Sequence, residues 1–188
     1  MFLLFAPIKV IASIAVCYAV VLLFFLPWAG PGMAFTFASL LQAILFFCCY
    51  VGWRKLWSMF PRLNYWLFPD LNGSWIATIK WTRGDESGTV TALARIKQDL
   101  LKMSIEVEAP DSDSSTIALV VRRDAESGTP LIHYIYEVID HQVRMDAQPA
   151  YRGGASLKVD ISDPKYMRGN YFTSRGNQGH FSFTRVSG

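Results

Sequence analysis

Hydrophobic and polar positions divide this chain into two unlike parts. Residues 1–53 are almost uniformly apolar, and Lys9 is their only charged side chain. Two apolar runs, 10–26 and 33–53, flank the sequence Pro27-Trp28-Ala29-Gly30-Pro31-Gly32. A helix that crosses the hydrocarbon core of a bilayer needs roughly 17–25 such residues. The pattern predicts two spans with the Pro/Gly cluster as their connector, a transmembrane helical hairpin over residues 1–53.

From residue 71 the period becomes two. Trp75, Ala77, Ile79 and Trp81 alternate with Ser74, Ile76, Thr78 and Lys80. Further strands are predicted near 90–96, 101–107, 117–121, 131–138, 155–161, 171–174 and 181–186. Turn-forming clusters separate them at 84–88, 110–115, 124–130, 153–154, 163–164 and 176–179. Short strands at this spacing argue for an all-β sandwich or barrel. Sequential hairpins close most simply as an up-and-down barrel, because closure leaves no unpaired edge. The expected fold is thus membrane-anchored all-β: a two-helix transmembrane hairpin (1–53), an interfacial linker (54–69), and a small antiparallel β-barrel of about eight strands (70–188). A barrel of that size either fills its interior with side chains or holds one small ligand.

Charge sharpens this reading. Lys9, Arg54, Lys55 and Arg62 are the only charges before Asp70, so the first 69 residues carry +4. The remaining fourteen basic residues face all fifteen acidic ones. A domain so balanced lacks the basic face that duplex nucleic acid requires. Cationic flanks stay in the cytoplasm, and the connector carries no charge. Both termini and the barrel are therefore expected in the cytoplasm, with Trp28, Trp53, Trp57, Tyr65 and Trp66 as interfacial anchors. A cleaved signal peptide is a poorer reading of the first run, since an equally apolar second run follows it. Cys17, Cys48 and Cys49 all lie in the spans, so the polar part has neither a disulfide framework nor a thiolate metal site.

Catalytic chemistry finds little support. His133, His141 and His180 lack metal-ligand spacing, and His133 reads as a satisfied sheet residue. No nucleophile elbow, phosphate-binding loop or dinucleotide fingerprint occurs. Asp111 and Asp113, among serines, read as a solvated hairpin turn rather than a cation site. The richest stretch is the last hairpin. In a strand, Gly169, Tyr171, Thr173 and Arg175 share one face and Phe172 points to the other. A phenol, a hydroxyl and a guanidinium in line can stack on a base, bond a ribose and pair with a phosphate. An ordinary polar strand face with Arg175 on the rim fits that spacing equally well. Tyr134 and Tyr136 share a face with Ile132, which suits either the wall of a polar pocket or a tyrosine-rich core. Trp75 reads as a plug at one barrel end.

These residues carry a resemblance. Two apolar N-terminal runs precede Leu71-Asn-Gly-Ser-Trp75. Further on stand Ile96-Lys-Gln98, Leu131-Ile-His-Tyr-Ile-Tyr136 and Gly153-Gly-Ala-Ser-Leu157. The last motif is Arg168-Gly-Asn-Tyr-Phe-Thr-Ser-Arg175, with Gly179 after it. The whole resembles the two-transmembrane β-barrel effectors of bacterial cyclic-oligonucleotide antiphage defence (CBASS and related systems). Tyr151 departs from the pattern, which has a histidine ahead of the glycine pair. The resemblance implies a barrel in the cytoplasm, held at the inner membrane, that binds a cyclic dinucleotide made by a partner nucleotidyltransferase. It implies no enzyme activity, no cofactor and no metal. Ligand binding would promote homo-oligomerisation and disruption of the lipid bilayer, leading to cell death. By motif position, Tyr171 would stack on a base, Thr173 bond a ribose or phosphate, and Arg175 pair with a phosphate. Tyr134 and Tyr136 would form the pocket wall. The same receptor could instead be restrained by its nucleotide and released by its loss. A membrane-tethered lipocalin-like carrier of an apolar ligand is the competing class, and it predicts an aliphatic pocket.

Overall fold

The computed structural model describes residues 7–50, 52, 55, 58–59, 68–99, 102–141, 150–160 and 162–186. It shows one helix, α1 (Pro7–Tyr50), and eight strands: β1 (Gly73–Arg83), β2 (Glu86–Gln98), β3 (Met103–Ala109), β4 (Ser112–Arg123), β5 (Pro130–Asp140), β6 (Ala150–Val159), β7 (Tyr166–Thr173) and β8 (Gln178–Arg185). Each strand pairs antiparallel with the next, and β8 returns to β1, closing the barrel. The expected up-and-down topology is the one observed.

The expectation of two separate helices joined by a non-helical connector is corrected. The chain forms a single long helical element, and the residues expected to be a connector are helical except Gly30 (φ 73°, ψ 169°). The break at Gly30 is sharp. The rings of Phe25 and Phe37 stack with centroids 5.0 Å apart. Twelve residues of straight helix would separate them by about 18 Å. Two prolines, Pro27 and Pro31, bracket the break, and each removes a backbone donor from the helix ladder. The stretch Ala12–Phe47 is long and apolar enough to cross a membrane, and an 18-residue window within it has a mean hydropathy of 2.2. Leu23, Phe24, Trp28, Phe35 and Phe47 are all exposed, and a helix that is apolar around its circumference suits lipid rather than water. Most of the expected interfacial linker, including Trp57, Tyr65 and Trp66, lies outside the described residues.

The alternation read from the sequence fills the barrel. Inward positions on β1 and β2 are Trp75, Ala77, Ala92, Ala94 and Ile96, all buried, while Ile76 and Leu93 between them are exposed. One end is plugged. Trp75 is fully buried, and its indole Nε1 donates to the Leu71 carbonyl at 2.9 Å. The Leu71 amide donates to Gln98 Oε1 at 2.8 Å, and Asn72 Nδ2 donates to the Gln98 carbonyl at 2.7 Å. Arg185 donates to the Asn72 carbonyl and lies 5.7 Å from the Trp75 ring centre. Ile132, Leu157, Met167 and Phe183 complete this floor. The Leu-Asn-Gly-Ser-Trp and Ile-Lys-Gln motifs are therefore closure devices. A buried tryptophan of this kind contributes about 3–5 kcal/mol by comparison with alanine.

Closure also needs two residues without side chains. At Gly169 and Gly179 an added Cβ would overlap the backbone carbonyls of Ser156 and Lys80 on the neighbouring strands. The β4 strand slips register between Thr116 and Ala118. There Thr116 Oγ1 accepts from the Ile105 amide (2.9 Å) and donates to its carbonyl (2.8 Å), replacing ladder bonds with a side chain. The pair Gly153–Gly154, expected as a turn, lies inside β6. The reading of His133 as satisfied is also corrected, because its buried Nε2 has no hydrogen-bond partner. Burial and the nearby Arg122 hold that imidazole below its ordinary pKa.

Candidate functional site

Opposite the plugged floor, the barrel interior opens into a cavity of about 270 Å³. The wall is aromatic. Tyr134, Tyr136, Tyr151, Tyr171 and Phe181 line it, from four strands. Tyr171 and Phe181 stack with centroids 4.2 Å apart and planes at 12°. Tyr134 and Tyr136 meet at 5.4 Å. Around the mouth stand Arg83 and Glu86, register partners at the β1–β2 turn, with Ser112, Ser114, Thr173 and Asn177.

Burial sets the electrostatics. Desolvation disfavours phenolate and raises all four tyrosines: Tyr171 is pushed up to about 12, and Tyr134 and Tyr136 are held well above the ordinary phenol value. At Tyr151 the Asp140 carboxylate adds to that rise, and the Arg175 guanidinium opposes it. Near neutral pH every wall phenol is therefore a protonated, uncharged donor and acceptor.

The structure distributes the sequence-derived residues unevenly. Tyr134, Tyr136 and Tyr171 are buried on the wall, as their shared faces implied. Thr173 also lines the cavity, but its hydroxyl is committed to the β7–β8 turn. Thr173 Oγ1 accepts from the Asn177 amide (3.2 Å) and donates to the Asn177 carbonyl (3.3 Å). Arg175 lies past the end of β7, beside the wall rather than on it. Its Nη1 bonds Asp140 Oδ2 at 2.6 Å, and its guanidinium carbon sits 4.1 Å from the centre of the Tyr151 ring. Phe172, on the other face of β7, is 67 % exposed.

Three residues escaped the sequence reading. Tyr151 was noted only as a departure from a pattern, yet it joins Arg175 to the cavity wall. Arg83 ends a strand whose inward face the alternation Trp75–Ala77–Ile79–Trp81 already traces, so continuing that period by one step finds it. Asn177 sits in a turn, where periodicity gives no direction. Among the described residues no group of His, Cys, Asp and Glu could hold a metal ion.

Neutral phenols and stacked rings therefore line the cavity, and one cation and one carboxylate, Arg83 and Glu86, stand at its mouth. No curated protein matches the chain. The family profile described as "Cap15, cyclic dinucleotide receptor domain" matches residues 66–185, which spans the whole barrel. The profile's own description is of a receptor domain. The chain belongs to the Cap15 cyclic dinucleotide receptor domain family, a CBASS-associated effector family.

Proposed function

We propose that the barrel is the sensor of a membrane-embedded antiphage effector, and that a cyclic dinucleotide bound in the open cavity controls its self-association and its action on the bilayer. The observation that carries this reading is the cavity itself, an aromatic-walled opening of about 270 Å³ inside a barrel of this family. Its size lies near the low end for small-molecule sites, roughly 300–1,000 Å³. That is room for one base and its sugar, with the phosphates and second nucleotide at the mouth. Tyr171, backed by Phe181, presents a ring for base stacking. Tyr134 and Tyr136 supply phenol hydroxyls deeper in the wall. Arg175 pairs with a phosphate by exchanging or sharing its bond to Asp140, and Arg83 meets the ligand's charge from the opposite rim. Thr173 serves by fixing the turn.

The ligand would come from a partner nucleotidyltransferase. The apolar helix would hold the barrel at the bacterial inner membrane. Its 36-residue stretch Ala12–Phe47 would measure about 54 Å if straight, well beyond a hydrocarbon core of about 30 Å. A helix bent at Gly30 accommodates that length by crossing twice, which keeps both termini and the barrel in the cytoplasm with the cationic flanks. Binding to an assembled state favours that state by mass action, and tethering to a surface raises the effective concentration of barrels. The lining mixes aliphatic side chains such as Ile79, Val90 and Val138 with four tyrosine phenols and two serines, and those hydroxyls favour a ligand with polar groups over a purely apolar one.

The test is dye release from liposomes that contain the full-length protein. An activated effector releases dye only when a cyclic dinucleotide is added on the barrel side. Release in its absence, suppressed by ligand, reverses the sign of control and retains the receptor. Release that is indifferent to every cyclic dinucleotide contradicts the proposal.

A further inference from the structure

The apolar stretch Ala12–Phe47 contains a single carboxamide, that of Gln42. The side chain is half-buried, and it makes no hydrogen bond to any described residue. Thr36 shows the usual alternative for a polar group in such a helix. Its hydroxyl donates to the Gly32 carbonyl one turn back, at 3.0 Å, and is satisfied within its own segment. Gln42 follows the break at Gly30 by twelve residues, about 18 Å of helix. In a helix that crosses twice, with Gly30 at one surface, the carboxamide stands near the middle of a hydrocarbon core of about 30 Å. Tyr18, twelve residues before Gly30, lies at the same depth, and its hydroxyl makes no hydrogen bond to any described residue either. Lipid tails offer neither donor nor acceptor, so a polar group at that depth must find its partner in protein.

We propose that Gln42 joins copies of this chain inside the bilayer through hydrogen bonds between their carboxamides. The inference rests on the membrane-embedded, twice-crossing part of the reading above and adds the contact that holds the assembly together. It is independent of which nucleotide the barrel takes. Two features make the partner a second copy. Copies anchored in the same way are related by an axis along the membrane normal, so residue 42 stands at one depth in all of them. A carboxamide is also its own complement. It carries an acceptor beside two donors, so two copies exchange a pair of hydrogen bonds and further copies extend the ring. Ser39 and Ala43 beside Gln42 are small and exposed, and small residues let neighbouring helices approach closely enough for such bonds to form. Ala34 and Ala38, in contrast, are already fully buried within the chain's own fold.

The experiment is energy transfer between full-length chains fused at the C-terminus to donor and acceptor fluorescent proteins. They are reconstituted without nucleotide in phosphatidylethanolamine–phosphatidylglycerol vesicles over a range of protein-to-lipid ratios. Wild type is compared with Gln42→Leu, Gln42→Asn and Tyr18→Phe. Leucine is apolar and a strong helix former, so Gln42→Leu retains the helix and its insertion. Flotation of the vesicles after an alkaline wash checks this for every variant. Gln42→Leu is expected to weaken association about three- to thirtyfold, the worth of one or two interhelical hydrogen bonds in a bilayer. Gln42→Asn keeps a carboxamide and is expected to stay within about threefold of wild type, and Tyr18→Phe within about twofold. Unchanged association in Gln42→Leu overturns the proposal. It does so also where that variant loses dye release, because Gln42 then lines a path for water. A loss in Gln42→Asn as large as in Gln42→Leu overturns the carboxamide pairing, and so does an equal loss in Tyr18→Phe, which assigns the contact to a phenol and an amide. Wild type that floats but shows no energy transfer at any ratio overturns the proposal and keeps the embedded reading. Wild type that washes off the vesicles removes both.

Discussion

The phenol ring of Tyr136 lies across the backbone of Gly153, its register partner on the neighbouring strand. A Cβ at Gly153 would stand 2.5 Å from the Tyr136 hydroxyl oxygen. The absent side chain is what lets this tyrosine form part of the cavity wall. Gly153→Ala must displace a buried ring, and overpacking of that kind costs about 1–3 kcal/mol. Gly154→Ala differs. Its Cβ would meet the outward ring of Phe172 at 2.9 Å, and that ring is exposed and can swing aside. Thermal melts are expected to show a lower midpoint for Gly153→Ala than for Gly154→Ala, with ligand affinity lost only in the former. Equal midpoints would contradict this account of the wall.

Arg175 and Asp140 form the half-buried ion pair beside the cavity. If Arg175 takes a phosphate, Arg175→Ala lowers ligand affinity by tenfold or more, while the far-ultraviolet spectrum and melting midpoint stay near wild type. Asp140→Asn then leaves the guanidinium less neutralised and should hold or raise the affinity for an anionic ligand. The two substitutions are predicted to move affinity in opposite directions. A matching loss in both would mean that the pair matters only as a brace for Tyr151.

The wall tyrosines give a pH signature with a definite sign. Their pKa values are raised in the folded barrel, mainly by burial. The folded state thus keeps protons that the unfolded chain loses near pH 10. The stabilisation is intact below pH 10 and declines as pH rises above it. Phenolate absorbance at pH 11 should therefore increase when the protein is unfolded by denaturant. If every tyrosine in the folded protein ionises near pH 10, the wall is wetter than described. Below pH 9 these phenols do not titrate, so they add no pH dependence to ligand binding.

Most of the barrel was legible because burial on one face forces period two, and Trp75–Ala77 against Ile76–Thr78 writes that period into the chain. Gly153–Gly154 was misplaced because a glycine pair signals a turn when read locally. Its reason for lying in β6 is Tyr136, seventeen residues upstream of Gly153 and visible only across the sheet. The Pro/Gly cluster at 27–32 likewise read as a connector. The helix bends there at Gly30 alone, since prolines near a break can still take helical dihedrals. In the site, strand alternation located Tyr134, Tyr136 and Tyr171. It could not direct Arg175 or Asn177, which follow the end of β7, where the chain turns and inward and outward lose their meaning. Alternation placed Thr173 on the cavity face but gave no sign of the bonds its hydroxyl makes within its own turn.

The central claim is that the open cavity is a cyclic-dinucleotide site. Calorimetric titration of the full-length protein with a panel of cyclic dinucleotides tests it most directly, with Tyr171→Leu measured beside wild type. Saturable one-site binding of at least one member by wild type, weakened tenfold or more in Tyr171→Leu, is the predicted result. No heat from any member of the panel, or binding that Tyr171→Leu leaves unchanged, would contradict it.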